Sequence, residues 1–190
     1  MGFRRGFKAE ANRIALRVRE QMGLSPIAPI DPAEVCAHFE IKLIPLSDID
    51  PRSTFLGNDN SSFSAVTVPR GCQTAIVHND SHHPYRQRSN VCHELAHCFL
   101  GHKCTPPLTE SGERSRDGGV EAEANYVAGT LLMPNEAAVH VLRKGLLMQA
   151  QGTYGISSAM LTYRLRVSGA QRIQERWVRS AGRGHSVGGL

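Results

Sequence analysis

The amino-acid sequence predicts an α+β protein: a domain with a small antiparallel sheet and one chemically loaded helix, followed by a helical C-terminal subdomain. Three observations carry that expectation. Short apolar runs bounded by Pro, Gly and polar residues cluster between residues 41 and 78, the signature of strands. On either side of them, apolar residues recur at helical spacing. At 190 residues the chain suits one compact domain with a small appended subdomain. The expected division is 1–134 for the main domain, 135–180 for a helical subdomain and 181–190 for a flexible tail.

Each element follows from its local sequence. Lys8 to Met22 reads as an amphipathic helix, with Ala11, Ile14, Ala15, Val18 and Met22 on one face and Gly23 beyond its end. SPIAPIDP is a linker. Asp31 then caps a second helix, Pro32 takes its first position, and Val35, Cys36 and Phe39 face inward. Ile41 to Leu46 reads as a strand whose Pro45 suggests a sheet edge. A polar connection, Ser47 to Ser62, leads to a β-hairpin of Phe63–Val68 and Thr74–His78 around the turn Pro69-Arg70-Gly71. The polar segment NDSHHPYRQRSN delivers the chain to a helix that starts near Pro84 and stops at Gly101. Lys103 to Gly119 is too polar and too rich in Pro and Gly for regular structure; it is either a lid or substrate-binding loop, or a disordered segment. Helices follow at Val120–Met133, closed by Pro134, and then at roughly 135–150, 158–167 and 170–179.

Bulk properties exclude several classes. No apolar run approaches the length of a membrane span, and the basic N-terminus lacks the apolar stretch of a secretory signal. Five cysteines, an odd number at irregular separations, argue for reduced thiols in a cytoplasmic setting. The net charge of +5 sits at the ends: residues 1–20 carry six Lys/Arg against two acids, and residues 164–183 carry six Arg against one. Such ends can touch nucleic acid or an acidic partner, but a solvated surface is the simpler reading.

The chemistry lies in VCHELAHCFLGH, residues 91–102. His93, Glu94 and His97 form H-E-x-x-H. At about 100° per residue the two histidines stand roughly 40° apart on one helix face, one turn apart along the axis. They can share a metal ion, while Glu94 can reach a water bound to it. Val91, Leu95, Cys98 and Phe99 make an apolar stripe on the opposite side. In a chain with nine histidines these three fixed positions alone are weak evidence.

A catalytic zinc ion takes three protein ligands and leaves a position for water. A third histidine in the pattern H-E-x-x-H-x-x-G-x-x-H would need Gly at 100 and His at 103, where this chain has Leu100 and Lys103. A carboxylate from a second helix is the other solution, and EAEANYVAGTLLMP supplies it. Glu121, Asn125, Ala128 and Leu132 share one face, so Glu121 is the expected ligand. Asn125, one turn on, is placed to hydrogen-bond a ligating histidine and fix its tautomer. Glu123, roughly 160–200° round the helix, is the alternative ligand. Ala124 and Ala128 would let the two helices approach closely.

HELAH, followed after a variable loop by E-x-E-A-N-x-x-A-x-x-L-L-M-P, resembles the ImmA/IrrE family of bacterial metallopeptidases. The likeness extends to the helix opening with Asp31-Pro32, the strand ending Pro45-Leu46, the hairpin, and Pro84, Arg86 and Arg88 entering the motif helix. It covers roughly residues 8–170. Cys92, Cys98 and the pair Tyr126-Val127 depart from the usual pattern without removing a ligand. The resemblance implies a zincin-like domain and a zinc-dependent endopeptidase of the gluzincin type. It also implies a protein substrate, a helix-turn-helix transcriptional repressor of a stress regulon or mobile element.

The residues give the same chemistry independently: Zn²⁺ on His93, His97 and Glu121, with Glu94 as the catalytic general base. A further donor for the oxyanion comes from among Tyr85, Tyr126, Tyr154, His78, His82, His83 and His140. The segment YGISSAMLTYRLRVSG looks like a helix-turn-helix fragment, read here as packing on the main domain rather than as a DNA reader. Cys92, Cys98, His102 and Cys104 form a rival structural zinc set, but Cys92 and Cys98 do not share the histidine face. The non-enzyme alternative is a metal-stabilised regulator that binds a repressor or DNA. An unligated Glu94 aimed at the metal argues against it.

Overall fold

A computed structural model describes residues 2–57, 63–70, 73–102 and 118–183. The chain begins with α1 (Phe7–Gln21) and α2 (Pro32–His38), then β1 (Ile41–Pro45) and a short α3 (Leu46–Ile49). Next come β2 (Ala65–Arg70), β3 (Gln73–His78), α4 (Pro84–Leu100) and α5 (Gly118–Leu132). Four helices close it: α6 (Asn135–Lys144), α7 (Leu147–Tyr154), α8 (Ser158–Val167) and α9 (Ala170–Arg183). This is the expected α+β class. Among the described residues no helix is long and apolar enough to cross a membrane. The bulk of the expected lid, 103–117, the tip of the hairpin turn and the tail beyond 183 lie outside the described residues.

The sheet has the order β1-β3-β2. The hairpin pairs antiparallel, from Ala65 opposite His78 to Arg70 opposite Gln73. β1 joins it in parallel, from Ile41 opposite Thr74 to Pro45 opposite His78, so the sheet is mixed rather than wholly antiparallel. The reason is the connection: α3 and the polar segment after it return the chain before β2 begins, and β3 then runs alongside β1 in the same direction. Pro45 and Pro69 both sit on outer strands, where a missing N–H costs no ladder bond to a second neighbour. Leu46 is the first residue of α3 and not the end of a strand.

Helix ends follow the sequence signals with one correction. Asp31 caps α2 by accepting the Ala33 N–H at 3.0 Å, with Pro32 at the first position. Ser157 caps α8 through the Met160 N–H. The stretch 135–150 is two helices, because Gly145 adopts φ 67° and terminates α6. One buried cluster runs from Phe7 to Ala170, taking in Ala11, Val35, Ile76, Leu95, Val127, Leu131, Ile156 and Leu165.

Two buried arginines finish α5. A helix leaves its last carbonyls without partners, and Pro134 prevents continuation. Arg19 of α1 donates to Leu131 O at 2.8 Å, and Arg164 of α8 donates to Met133 O at 2.8 Å. Arg164 also bonds Asn135 Oδ1 at 2.9 Å and lies over the Tyr126 ring. This arginine of the helix-turn-helix-like segment is therefore committed to the core.

Candidate metal centre

α4 is started by His83, whose ring nitrogen accepts the Tyr85 N–H, and by Pro84 at the first position. It is stopped by Gly101 at φ 66°, a left-handed conformation that glycine adopts without strain. That turn brings the His102 N–H onto His97 O at 3.0 Å. Val91, Cys92, Leu95 and Ala96 are the buried residues of the helix. Cys98 and Phe99 are only half-buried; Phe99 packs edge-on against Phe39 of the α2 end at 5.0 Å.

On the opposite face, His93 and His97 turn their Nε2 atoms toward each other, 3.0 Å apart. α5 packs against α4, and the buried Ala124 and Ala128 permit the close approach. Glu121 then places its carboxylate oxygens 3.5 Å from His93 Nε2 and 3.6 Å from His97 Nε2. One ligand atom from each residue lies within 4.8 Å of the others, so the trio can hold a metal ion. All three side chains are about a fifth to a quarter exposed, which leaves the centre open to a reactant.

The remaining ring nitrogens are also occupied. His93 Nδ1 lies 3.0 Å from Asn125 Oδ1, and His97 Nδ1 lies 3.0 Å from His102 Nδ1. An amide oxygen only accepts, so His93 carries its proton on Nδ1 and presents the Nε2 lone pair to the centre. His97 is served in the same way when it is the donor of its Nδ1 pair with His102. Glu94 is held by Thr67 of β2, whose hydroxyl donates to Oε2 at 2.6 Å. Glu123 points away from the centre and pairs with Arg4 at 3.2 Å.

The sequence places His102 only in the rival structural zinc set, not as the partner of His97, and does not point to Thr67. His102 carried a signal, since it follows the glycine that ends the motif helix. Thr67 carried none, because which strand passes over a helix is not a local property. Of the oxyanion candidates, Tyr126 is buried among Phe3 and Phe7, and Tyr154 donates its hydroxyl to Ile27 O at 2.9 Å. His82 is buried beside Asn90, and His78 is buried on β3, where desolvation lowers its pKa although Asp80 pulls the other way. Of the rival cysteine set, Cys92 is fully buried, with desolvation pushing its thiol up to about 12, and Cys104 lies outside the described residues.

A half-buried pair of histidines and a carboxylate, with a second glutamate outside that trio on the same helix turn, defines a metallopeptidase-type centre. Residues 36–166 match the family described as Peptidase_M78, the IrrE N-terminal-like domain, and the chain belongs to that family. A search of curated proteins finds no match to the chain.

Proposed function

We propose that the protein is a zinc-dependent endopeptidase in which His93, His97 and Glu121 hold the metal and Glu94 is the general base. The observation that carries this reading is the convergence of His93 Nε2, His97 Nε2 and the Glu121 carboxylate beside a glutamate that a threonine holds in place. The donor set of two imidazoles and one carboxylate is the one catalytic zinc takes, and each imidazole has a partner on its other nitrogen. Bound there, zinc supplies Lewis acidity toward a carbonyl oxygen and lowers the pKa of water.

The protein's own groups do the rest. Glu94 accepts the proton of the attacking water and returns it to the leaving amine. Its Oε2 is fixed by Thr67, which leaves Oε1 to face the water. β2 is an outer strand of the sheet, and its edge, unpaired among the described residues, suits an extended peptide that adds main-chain hydrogen bonds. The substrate in this reading is a helix-turn-helix repressor, after the resemblance to ImmA/IrrE proteins, and the reaction is cytoplasmic, in keeping with the buried free thiols of Cys36 and Cys92.

The test is to incubate the zinc-loaded protein with the helix-turn-helix repressor encoded beside it, with and without chelator, using Glu94→Gln as control. Defined fragments that vanish with chelator and with Glu94→Gln are expected. A repressor left intact by zinc-loaded wild type, or full regulatory activity in Glu94→Gln, overturns the reading in favour of a binding-only regulator.

A further inference from the structure

The α4 face that carries His93 and His97 continues beyond the metal centre. At about 100° per residue, Arg86, Ser89 and Asn90 all lie within about 60° of the direction of His93. They line a cleft of about 540 Å³. Its opposite wall is the α7–α8 turn, with Ile156, Ser158 and Met160, and Leu132 at the end of α5 also faces it. Asn90 precedes His93 by roughly 5 Å of helix rise. The cleft and the metal centre therefore follow one another along the seam between α4 and α5.

This wall is set in advance. Gly155 takes φ 59°, which lets the Ile156 N–H bond Gln151 O at 3.1 Å. Tyr154 anchors the turn to Ile27 O, and the Ile156 side chain is 1% exposed. On the other side, the Asn90 amide is held 3.3 Å from His82 Nδ1.

The chemistry of the lining is one-sided. Met160 offers apolar surface to the methylene stem of a side chain above a floor of buried Leu132 and Ile156, and Ser89 and Ser158 offer hydroxyl donors. Arg86 brings a permanent positive charge, and among the described residues no Asp or Glu lines the cleft. Arg86 donates through Nη2 to Ser64 Oγ at 3.4 Å, and a guanidinium has further donors to offer a ligand. The start of α8 adds the positive end of a helix dipole on the same side.

We propose that this cleft is the specificity pocket for a glutamate side chain next to the bond that is cut, with Arg86 setting the preference for an acid. The proposal rests on the endopeptidase reading and names what that site selects. Glutamate fits better than aspartate because its longer stem covers the apolar surface before the carboxylate meets Arg86.

The experiment uses the zinc-loaded full chain and a degenerate peptide library, with the cleavage products sequenced for wild type, Arg86→Ala and Arg86→Glu and the bound zinc measured for each. Wild type is expected to enrich glutamate at one position beside the scissile bond. Arg86→Ala should lower kcat/KM for the best glutamate peptide at least ten-fold, and Arg86→Glu should switch the preference to lysine or arginine, both with zinc content unchanged. Cleavage with the same preference in all three proteins overturns the pocket and leaves the protease reading standing. No cleavage of any peptide by zinc-loaded wild type overturns both.

Discussion

Thr67 on β2 donates its hydroxyl to Glu94 Oε2 on α4 at 2.6 Å, tying the sheet edge to the proposed base. A carboxylate left to rotate would share its time between productive and unproductive orientations. Removing a hydrogen bond to a charged group costs about 1.5–3 kcal/mol, a factor of roughly ten to a hundred in rate when it is lost at the transition state. Thr67→Val is therefore expected to lower kcat by that factor with zinc content unchanged, and Thr67→Ser to recover most of it. Steady-state kinetics beside metal analysis checks this, and an unchanged kcat in Thr67→Val rules out the positioning role.

Asn125 and His102 act one step further out. Each occupies the ring nitrogen of a proposed ligand that faces away from the metal. Loss of such a partner lowers metal affinity by about ten- to a hundred-fold. Asn125→Ala and His102→Ala should each show that loss in a competition titration with a chromophoric chelator, with unchanged far-UV circular dichroism. Wild-type affinity in both variants contradicts the assignment.

The two glutamates of E-A-E separate cleanly. Glu121 lies within 3.6 Å of both histidine Nε2 atoms, whereas Glu123 pairs with Arg4 on the far side of α5. Glu121→Ala should lose bound zinc, and Glu123→Ala should keep it with only a small change in stability, since Arg4 is exposed. Zinc loss from Glu123→Ala instead would reassign the third ligand.

How much of this was legible in the sequence depends on the range of the interaction. His93 and His97 are four residues apart on one helix, so helical geometry alone puts them on one face. The facing of Asn125 and Glu121 toward one side, and of Glu123 toward the other, follows from the same arithmetic on α5. The parallel pairing of β1 with β3 was not legible, because it depends on how the segment after α3 returns the chain. Nor was the split of 135–150, although Gly145 marks it: a lone glycine within a helical pattern is tolerated as often as it terminates. Cys98 and Phe99 read as core from the wheel, yet both stay half-buried at the edge of the core, where Phe99 meets the ring of Phe39.

The thiols give a prediction independent of catalysis. Cys36 and Cys92 are buried, and desolvation pushes both thiols up to about 12. The thiolate is the reactive form, so at pH 8 neither is expected to react with iodoacetamide in the folded protein. Both should label after unfolding in guanidinium, as read by peptide mass spectrometry. Rapid labelling of Cys92 in the native state contradicts its place on the buried face of the motif helix.

Gly155 and Gly145 have the same backbone need and different surroundings, which makes them a controlled pair. Both take a left-handed conformation, at φ 59° and 67°, and for alanine that costs about 1–2 kcal/mol. Around Gly145 an added Cβ meets nothing within 4 Å, so Gly145→Ala should show the backbone cost alone. Around Gly155 it would stand 2.9 Å from Arg88 Cδ and Cζ. Arg88 cannot yield freely, because its guanidinium donates to Ile30 O and lies 3.8 Å from Asp31, the cap of α2. Displacing it adds the loss of a charged hydrogen bond, roughly a further 1.5–3 kcal/mol. Urea unfolding should therefore place the Gly155→Ala midpoint well below that of Gly145→Ala. Because Gly155 also shapes the turn that walls the cleft beside Arg86, Gly155→Ala alone of the two should weaken the glutamate preference; equal midpoints and equal preferences would mean that Arg88 gives way without cost.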